Sequence, residues 1–139
     1  DERADDEVHR HGPHPGPVSG VAWRADGGHL AAATDEPGWP GEVVVWDPAA
    51  RRPVRTLRGP AGGVLGVAYG PDGRLAATAR DGTIRLWAPG GEPGPVLRGP
   101  TAPTTAPAVR PDGKFLAAGG ETPAGTGEVT IWTLSPRPG

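Results

Sequence analysis

The sequence has no cysteine and no methionine, and only one tyrosine and one phenylalanine. It also has no asparagine or glutamine, and its only lysine is Lys114. Without cysteine there can be no disulfide, thiolate metal site or cysteine nucleophile. A basic excess is lacking too. Fourteen Lys and Arg stand against 16 Asp and Glu, a formal net charge of −2. Such a chain has no positive field to hold nucleic acid or an anionic membrane. No apolar run is long enough to span a bilayer, and no stretch reads as a secretory signal. The expected location is therefore the cytoplasm, with neither nucleic acid nor membrane as partner. Glycine and proline, by contrast, are abundant: 24 and 19 of 139 residues. That content without a period belongs to disordered chains, so the question is whether they recur in phase. The bias toward Ala, Gly, Pro and Arg fits a GC-rich bacterial source.

They do recur. One block holds VSGVAW (Val18–Trp23), ADGGHLAAAT (Ala25–Thr34) and EVVVWD (Glu42–Asp47). A second holds VLGVAY (Val64–Tyr69), PDGRLAATA (Pro71–Ala79) and TIRLW (Thr83–Trp87). A third holds TTAPAV (Thr104–Val109), PDGKFLAAG (Pro111–Gly119) and EVTIW (Glu128–Trp132). Trp46, Trp87 and Trp132 follow one another at 41 and 45 residues. Gly59-Pro60 recurs as Gly99-Pro100, each after Leu-Arg. Apolar residues fill both faces of these short segments, as in strands buried on both sides. Pro-Asp-Gly is a turn signal, and Asp81-Gly82 reads as the turn pair of a tight hairpin. Further strands are expected near Pro53–Arg58 and Gly94–Arg98. Four short antiparallel strands per period of 40–45 residues is the pattern of a propeller blade.

These blocks resemble the WD-repeat family of β-propellers, most closely in GVAYGPDGRLAATARDGTIRLW (Gly66–Trp87). The resemblance covers about residues 16–133. It implies an all-β arc of about three four-stranded antiparallel blades, an incomplete ring within one chain. Residues 16–60, 61–100 and 101–133 are the expected blades, the last truncated. Residues 1–15 are an expected flexible, acidic and His-containing tail, and 134–139 a C-terminal tail. Asp26, Asp72 and Asp112 take the turn positions, and Trp46, Trp87 and Trp132 the core. Family blades often hold a hydrogen-bonded set of His, Ser/Thr, Trp and a turn Asp. The second unit keeps Thr78, Asp81 and Trp87 but lacks the His, and the family's Gly-His pair reads Gly-Pro here. Each missing neutral hydrogen bond is worth about 0.5–1.5 kcal/mol. Pro107 falls in the third inner strand, which in this family is an edge, where proline is tolerated.

Three blades make an arc, whereas closed propellers have about four to eight. The Asp1 start and the short third unit read as a piece of a larger propeller. Closure of two chains into a six-blade ring is the other reading, and Glu7–Arg10 is a candidate closing strand. No nucleophile elbow, phosphate-cradling loop or metalloprotease motif is present. Gly62-Gly63-Val64-Leu65-Gly66 leads into a strand, so it is no dinucleotide loop. His9, His11 and His14 beside Asp5, Asp6 and Glu7 could bind a transition metal, but a frayed terminus fixes no geometry. No metal, cofactor or catalytic residue is expected, and His29 reads as surface.

Two loops stand out. Trp39 lies in Glu36–Gly41, an insertion between the second and third strands of the first unit, and Glu121–Gly127 is its counterpart in the third. The resemblance places such loops on the face that receives partners, and Trp is enriched in interface hot spots. Trp39, Glu36, Glu121 and Arg80, which precedes the turn Asp81, are the partner-binding candidates. Arg58 and Arg98 could extend a positive rim. The expected function is a non-enzymatic scaffold for protein–protein contacts, or a segment that completes a larger propeller. The alternative is a propeller-type enzyme or metal- or ligand-binding segment, which needs His or carboxylates converging on the inner strands. Val18–Trp23, Val64–Tyr69 and Thr104–Val109 have neither.

Overall fold

In the computed structural model the described residues are 10, 12–14, 16–35, 41–58, 62–99, 102–103 and 105–134. They form three antiparallel sheets. The first runs β1 (Val18–Trp23), β2 (Leu30–Thr34), β3 (Glu42–Asp47) and β4 (Arg52–Arg58), each beside the next. The second repeats that order in β5 (Val64–Tyr69), β6 (Leu75–Ala79), β7 (Ile84–Trp87) and β8 (Pro93–Leu97). The third joins β11 (Phe115–Glu121) to β12 (Gly127–Thr133) on one side and to β9 (Ala102–Pro103) and β10 (Ala108–Val109) on the other. This is the arc of three blades that the repeat implies.

The third inner strand differs from expectation. The repeat predicts one strand over Thr104–Val109, but among the described residues of that stretch only β10 forms, with β9 set apart from it. Pro103 and Pro107 bracket the break. Neither has an N–H to give to the ladder, and each fixes its own φ. The third sheet differs at its outer side as well: among the described residues β12 pairs only with β11.

Local sequence explains the turns. The Asp26, Asp72 and Asp112 carboxylates accept the backbone N–H of Gly28, Arg74 and Lys114 at 2.9, 3.1 and 2.9 Å. The glycine after each aspartate has positive φ, 75°, 90° and 75°, which costs glycine no Cβ clash. The expected Asp81-Gly82 hairpin closes through Ala79 N–H to Thr83 O at 2.9 Å.

Two cores lie between the sheets. Ala31, Ala33, Val43, Val45 and Leu57 of the first pack on Val67, Leu75, Ala77 and Trp87 of the second. The other face of the second sheet, with Ala76, Ile84 and Leu86, packs on Leu116, Ala118 and Trp132. Each blade thus has a leading face carrying its tryptophan and a trailing face of aliphatic residues. The inner strands approach most closely at Gly20, Gly66 and Ala106. A Cβ on Gly66 would lie 2.7 Å from the Ala106 Cα, and one on Gly20 would lie 3.3 Å from the Gly66 Cα.

Candidate functional site

The two ends of the arc are surfaces of the same kind as its interior. Val129 and Ile131 occupy, in β12, the positions that Ile84 and Leu86 hold in β7. The register pairs Gly119 with Val129 as it pairs Thr78 with Ile84. Ile84 and Leu86 are 1% and 6% exposed, whereas Val129 and Ile131 are 74% and 65% exposed. With Phe115, Ala117, Ala108 and Arg110, Ile131 lines an open groove of about 410 Å³. The Arg110 guanidinium lies 4.1 Å from the centre of the Phe115 ring.

At the opposite end, Val21 and Trp23 are in phase with Val67 and Tyr69. Val21 is 60% exposed and Trp23 57%, against 6% for Val67. Trp46 on this face is nevertheless buried. His14 sets its ring edge-on against it, centroids 5.6 Å apart. The sequence reading placed His14 in a metal-binding or frayed cluster and did not foresee this contact. A signal was available: His14 stands six residues before Gly20, as Pro60 stands six before Gly66, so His14 belongs to the repeat. Blade 1 therefore gathers His14, Thr34 and Trp46 on one face, with Thr34 Oγ1 bonded to Glu42 O at 3.3 Å.

In blade 2 the expected set of Thr78, Asp81 and Trp87 does not assemble. Thr78 pairs with Ile84 while Trp87 pairs with Leu75. Side chains alternate along a strand, so Thr78 and Trp87 point to opposite faces. The buried Thr78 Oγ1 has no hydrogen-bond partner among the described residues. Asp81 instead accepts Thr83 N–H at 3.0 Å and Arg85 Nη2 at 3.2 Å, and takes the Thr83 hydroxyl as well. Burial pushes its carboxyl up, but those hydrogen bonds prevail and hold it below the usual range.

Among the partner-binding candidates, Arg80 reaches across the blade boundary. Its guanidinium binds both oxygens of Asp35, and this holds the Asp35 carboxyl below its ordinary range. Arg80 stays exposed at the loop end of the sheets. Glu121 is exposed at the end of β11, opposite Ala102. The expected insertion Glu121–Gly127 is largely extra ladder: the strands continue to Glu121 and Gly127, and a Thr122–Thr126 turn joins them. Trp39 and Glu36, like His9, His11 and most of the Glu7–Arg10 segment, lie outside the described residues.

At the opposite end, every Asp-Gly turn carries an ion pair. Arg24 Nε meets Asp26 and Arg74 Nε meets Asp72, both at 2.8 Å, and Arg110 pairs with Asp112. The Arg24 and Arg110 hydrogen bonds lower Asp26 and Asp112 to about 2. Arg74 also donates to Gly113 O at 3.2 Å, and Arg55 to Pro89 O at 3.1 Å, each tying neighbouring blades. His29, beside Arg24, is held below its ordinary value by burial and by the Arg24 and Arg55 charges. Among the described residues, no group of three His, Asp or Glu lies close enough to hold a metal ion, and no helix is long and apolar enough to cross a membrane.

Comparison with known proteins agrees with this architecture. The family model for the WD domain, G-beta repeat, matches residues 6–47 and 51–88. No curated protein matches the chain. Among solved structures, a chain of Kuenenia stuttgartiensis Hydrazine Synthase superposes with a TM-score of 0.71 at 19% identity. The match covers 84% of this chain and 34% of that one. At that identity the likeness is one of fold, and this chain spans about a third of that protein's length.

Proposed function

The chain belongs to the WD-repeat family, and from that premise we propose that it is a non-catalytic scaffold for protein–protein contacts whose end faces seat further blades. Those blades belong to a larger propeller or to a second copy. The observation that carries the reading is the contrast between in-phase positions: Val129 and Ile131 are open where Ile84 and Leu86 are buried. Each open residue of this kind forgoes about 1.5–3 kcal/mol of burial, and soluble proteins seldom leave such a contiguous patch without a use. The loop end, with Trp39, Glu36, Arg80 and Glu121, supplies the partner contacts in this reading, since rigid scaffolds present binding residues on loops.

Light scattering on the purified 14.1 kDa chain tests the first part. Mass above the monomer is expected, lowered by Ile131→Glu, which places a charge on the open trailing face. A chain that stays monomeric at its highest soluble concentration removes the second copy and leaves the blades of a larger propeller as the occupant. Affinity-capture with Trp39→Ala tests the loop end: an unchanged set of bound partners removes Trp39 from the contact surface.

A further inference from the structure

The boundary between blades 1 and 2 gathers charged groups at the end where the Asp-Gly turns lie. The register sets Ala22 opposite Ala31, Ala31 opposite Val45 and Val45 opposite Arg55. Ala31 and Val45 belong to the core shared with blade 2, so Arg55 faces blade 2 as well. Two residues further along, on the same face, stand Arg24, His29 and Asp47. The bond from Arg24 N–H to His29 O, 3.0 Å, continues the ladder there. From blade 2, Tyr69 stands opposite Leu75 and Leu75 opposite Trp87. All three face blade 1 in that same core.

Arg55 is the odd member of this group. Among the described residues four arginines are half-buried: Arg24, Arg55, Arg74 and Arg85. Three of them hold a carboxylate, of Asp26, Asp72 and Asp81, at 2.8, 2.8 and 3.2 Å. Among the described residues Arg55 donates only to a neutral acceptor, Pro89 O, at 3.1 Å. Partial burial of a cation carries a desolvation cost that a counter-charge offsets. The acids around it are engaged elsewhere. Asp26 holds Arg24, and Asp47 accepts the Ala50 N–H of its own turn at 3.1 Å. Glu92 folds over Gly90, where an added Cβ would lie 2.8 Å from its carboxylate oxygens. A Cβ on Gly91 would lie 2.8 Å from the Arg55 Cδ, so the blade-2 turn leaves room for this side chain.

Two neutral donors accompany it. Arg24 Nη1 lies 2.8 Å from His29 Nδ1, and a guanidinium can only donate. His29 Nδ1 therefore accepts, and the neutral ring carries its proton on Nε2. The Tyr69 hydroxyl makes no hydrogen bond among the described residues. The Arg24 and Arg55 charges act on both groups, lowering His29 and opposing the upward push of burial on Tyr69.

We propose that this boundary binds one carboxylate of a partner protein, an Asp or Glu side chain held by the Arg55 guanidinium, with His29 Nε2–H and the Tyr69 hydroxyl as further donors. The planar fork of a guanidinium matches a carboxylate in this way. Asp47 shares the face, so a singly charged carboxylate suits it better than a doubly charged phosphate. The site rests on the scaffold reading for its partner. It lies at the opposite end of the sheets from Arg80, however, and uses none of the loop-end contacts.

The test follows the full chain by NMR, with acetyl-Gly-Glu-Gly-amide as the carboxylate probe. Saturable shifts of the His29 ring and the Arg55 Nε–H are expected, the ring being assigned through His29→Gln. The same peptide with glutamine in place of glutamate should give none. The bound carboxylate should also raise the titration midpoint of His29, because it opposes the two arginine charges. Arg55→Gln should weaken binding by at least about tenfold, the size of a hydrogen bond between charged groups. Tyr69→Phe keeps the packed ring and should cost about two- to tenfold, the range of a neutral hydrogen bond. Lys114→Gln removes the same charge from an exposed residue at the same end of blade 3 and should change nothing. Circular dichroism verifies the fold of each variant. Equal losses in Arg55→Gln and Lys114→Gln would mean attraction to charge alone and overturn the proposal. So would absence of saturable binding, binding insensitive to both Arg55→Gln and Tyr69→Phe, or binding that leaves the His29 midpoint unmoved. Inorganic phosphate moving the same resonances at lower concentration than the peptide would make free phosphate the occupant and overturn it too. A chain that fails here yet still captures partners through Trp39 keeps the scaffold reading.

Discussion

Arg80 of blade 2 grips Asp35 of blade 1 with two parallel hydrogen bonds, Nε at 2.7 Å and Nη2 at 2.6 Å. The residues are 45 apart in sequence, so the pair fastens one blade to the next at the loop end. Planar guanidinium and carboxylate match in this geometry, which lysine would not reproduce. Arg80 is largely exposed, and exposed pairs are worth about 0.2–1 kcal/mol. Arg80→Ala and Asp35→Asn are each expected to destabilise the chain by about that amount, with Arg80→Lys only partly rescuing. Urea denaturation of both single variants and the double variant checks it, and the double should cost less than the sum.

Acid should loosen the fold in two stages. His29 has a folded-state value below its ordinary one, because burial and the Arg24 and Arg55 charges disfavour its proton. The unfolded chain therefore binds that proton first, and stability falls as pH drops below about 6.5. Asp35 is depressed by Arg80, and Asp26 and Asp112 sit near 2 because of Arg24 and Arg110. Their contribution is full above about pH 4 and is lost as pH falls through the folded values. Melting temperature against pH should show both slopes, and His29→Ala should remove the upper one.

Gly66 is expected to tolerate no side chain. Its Cβ would lie 2.7 Å from the backbone of Ala106 in the neighbouring inner strand, and backbone cannot swing aside as a flexible side chain can. Gly66→Ala should cost about 1–3 kcal/mol through overpacking. Gly127→Ala meets nothing within 4 Å and serves as the control. Denaturant midpoints of the two variants decide the matter.

Ile84 and Val129 test whether burial, rather than residue type, carries the energy. They hold the same repeat position but are 1% and 74% exposed. Ile84→Ala should cost about 2–5 kcal/mol, and Val129→Ala less than about 0.5 kcal/mol in the chain by itself. Equal losses would mean that the trailing face of blade 3 is already covered in solution.

Much of the blade was legible in the residues. The alternation in VLGVAY, the phase of Trp46, Trp87 and Trp132 and the Asp-Gly turns are local signals, and the strands formed where they pointed. Where proline density was highest, the strand expected at Thr104–Val109 broke, because two missing N–H groups within five positions outweighed the repeat. The grouping of Thr78 with Trp87 failed for a different reason. Resemblance compares positions along the chain, whereas a strand's period of two decides the face, and one step moves a side chain to the other side of the sheet. Arg80 stands out in the sequence as a partner-binding candidate beside the turn Asp81, yet its engagement with Asp35 depends on a partner in another blade.

The sequence by itself determined the unit: its strands, its turns, and the presence of two apolar faces on each blade. Those follow from short-range forces, side-chain alternation and turn geometry. Only the tertiary structure decided which of these equivalent faces are covered. Ile84 is buried and Val129 open although their local sequences are alike, because burial depends on the neighbour that stacks against them. The same holds for the closeness of Gly66 to Ala106 and for His14 against Trp46. Each arises from segments far apart in the chain that meet only when the chain folds.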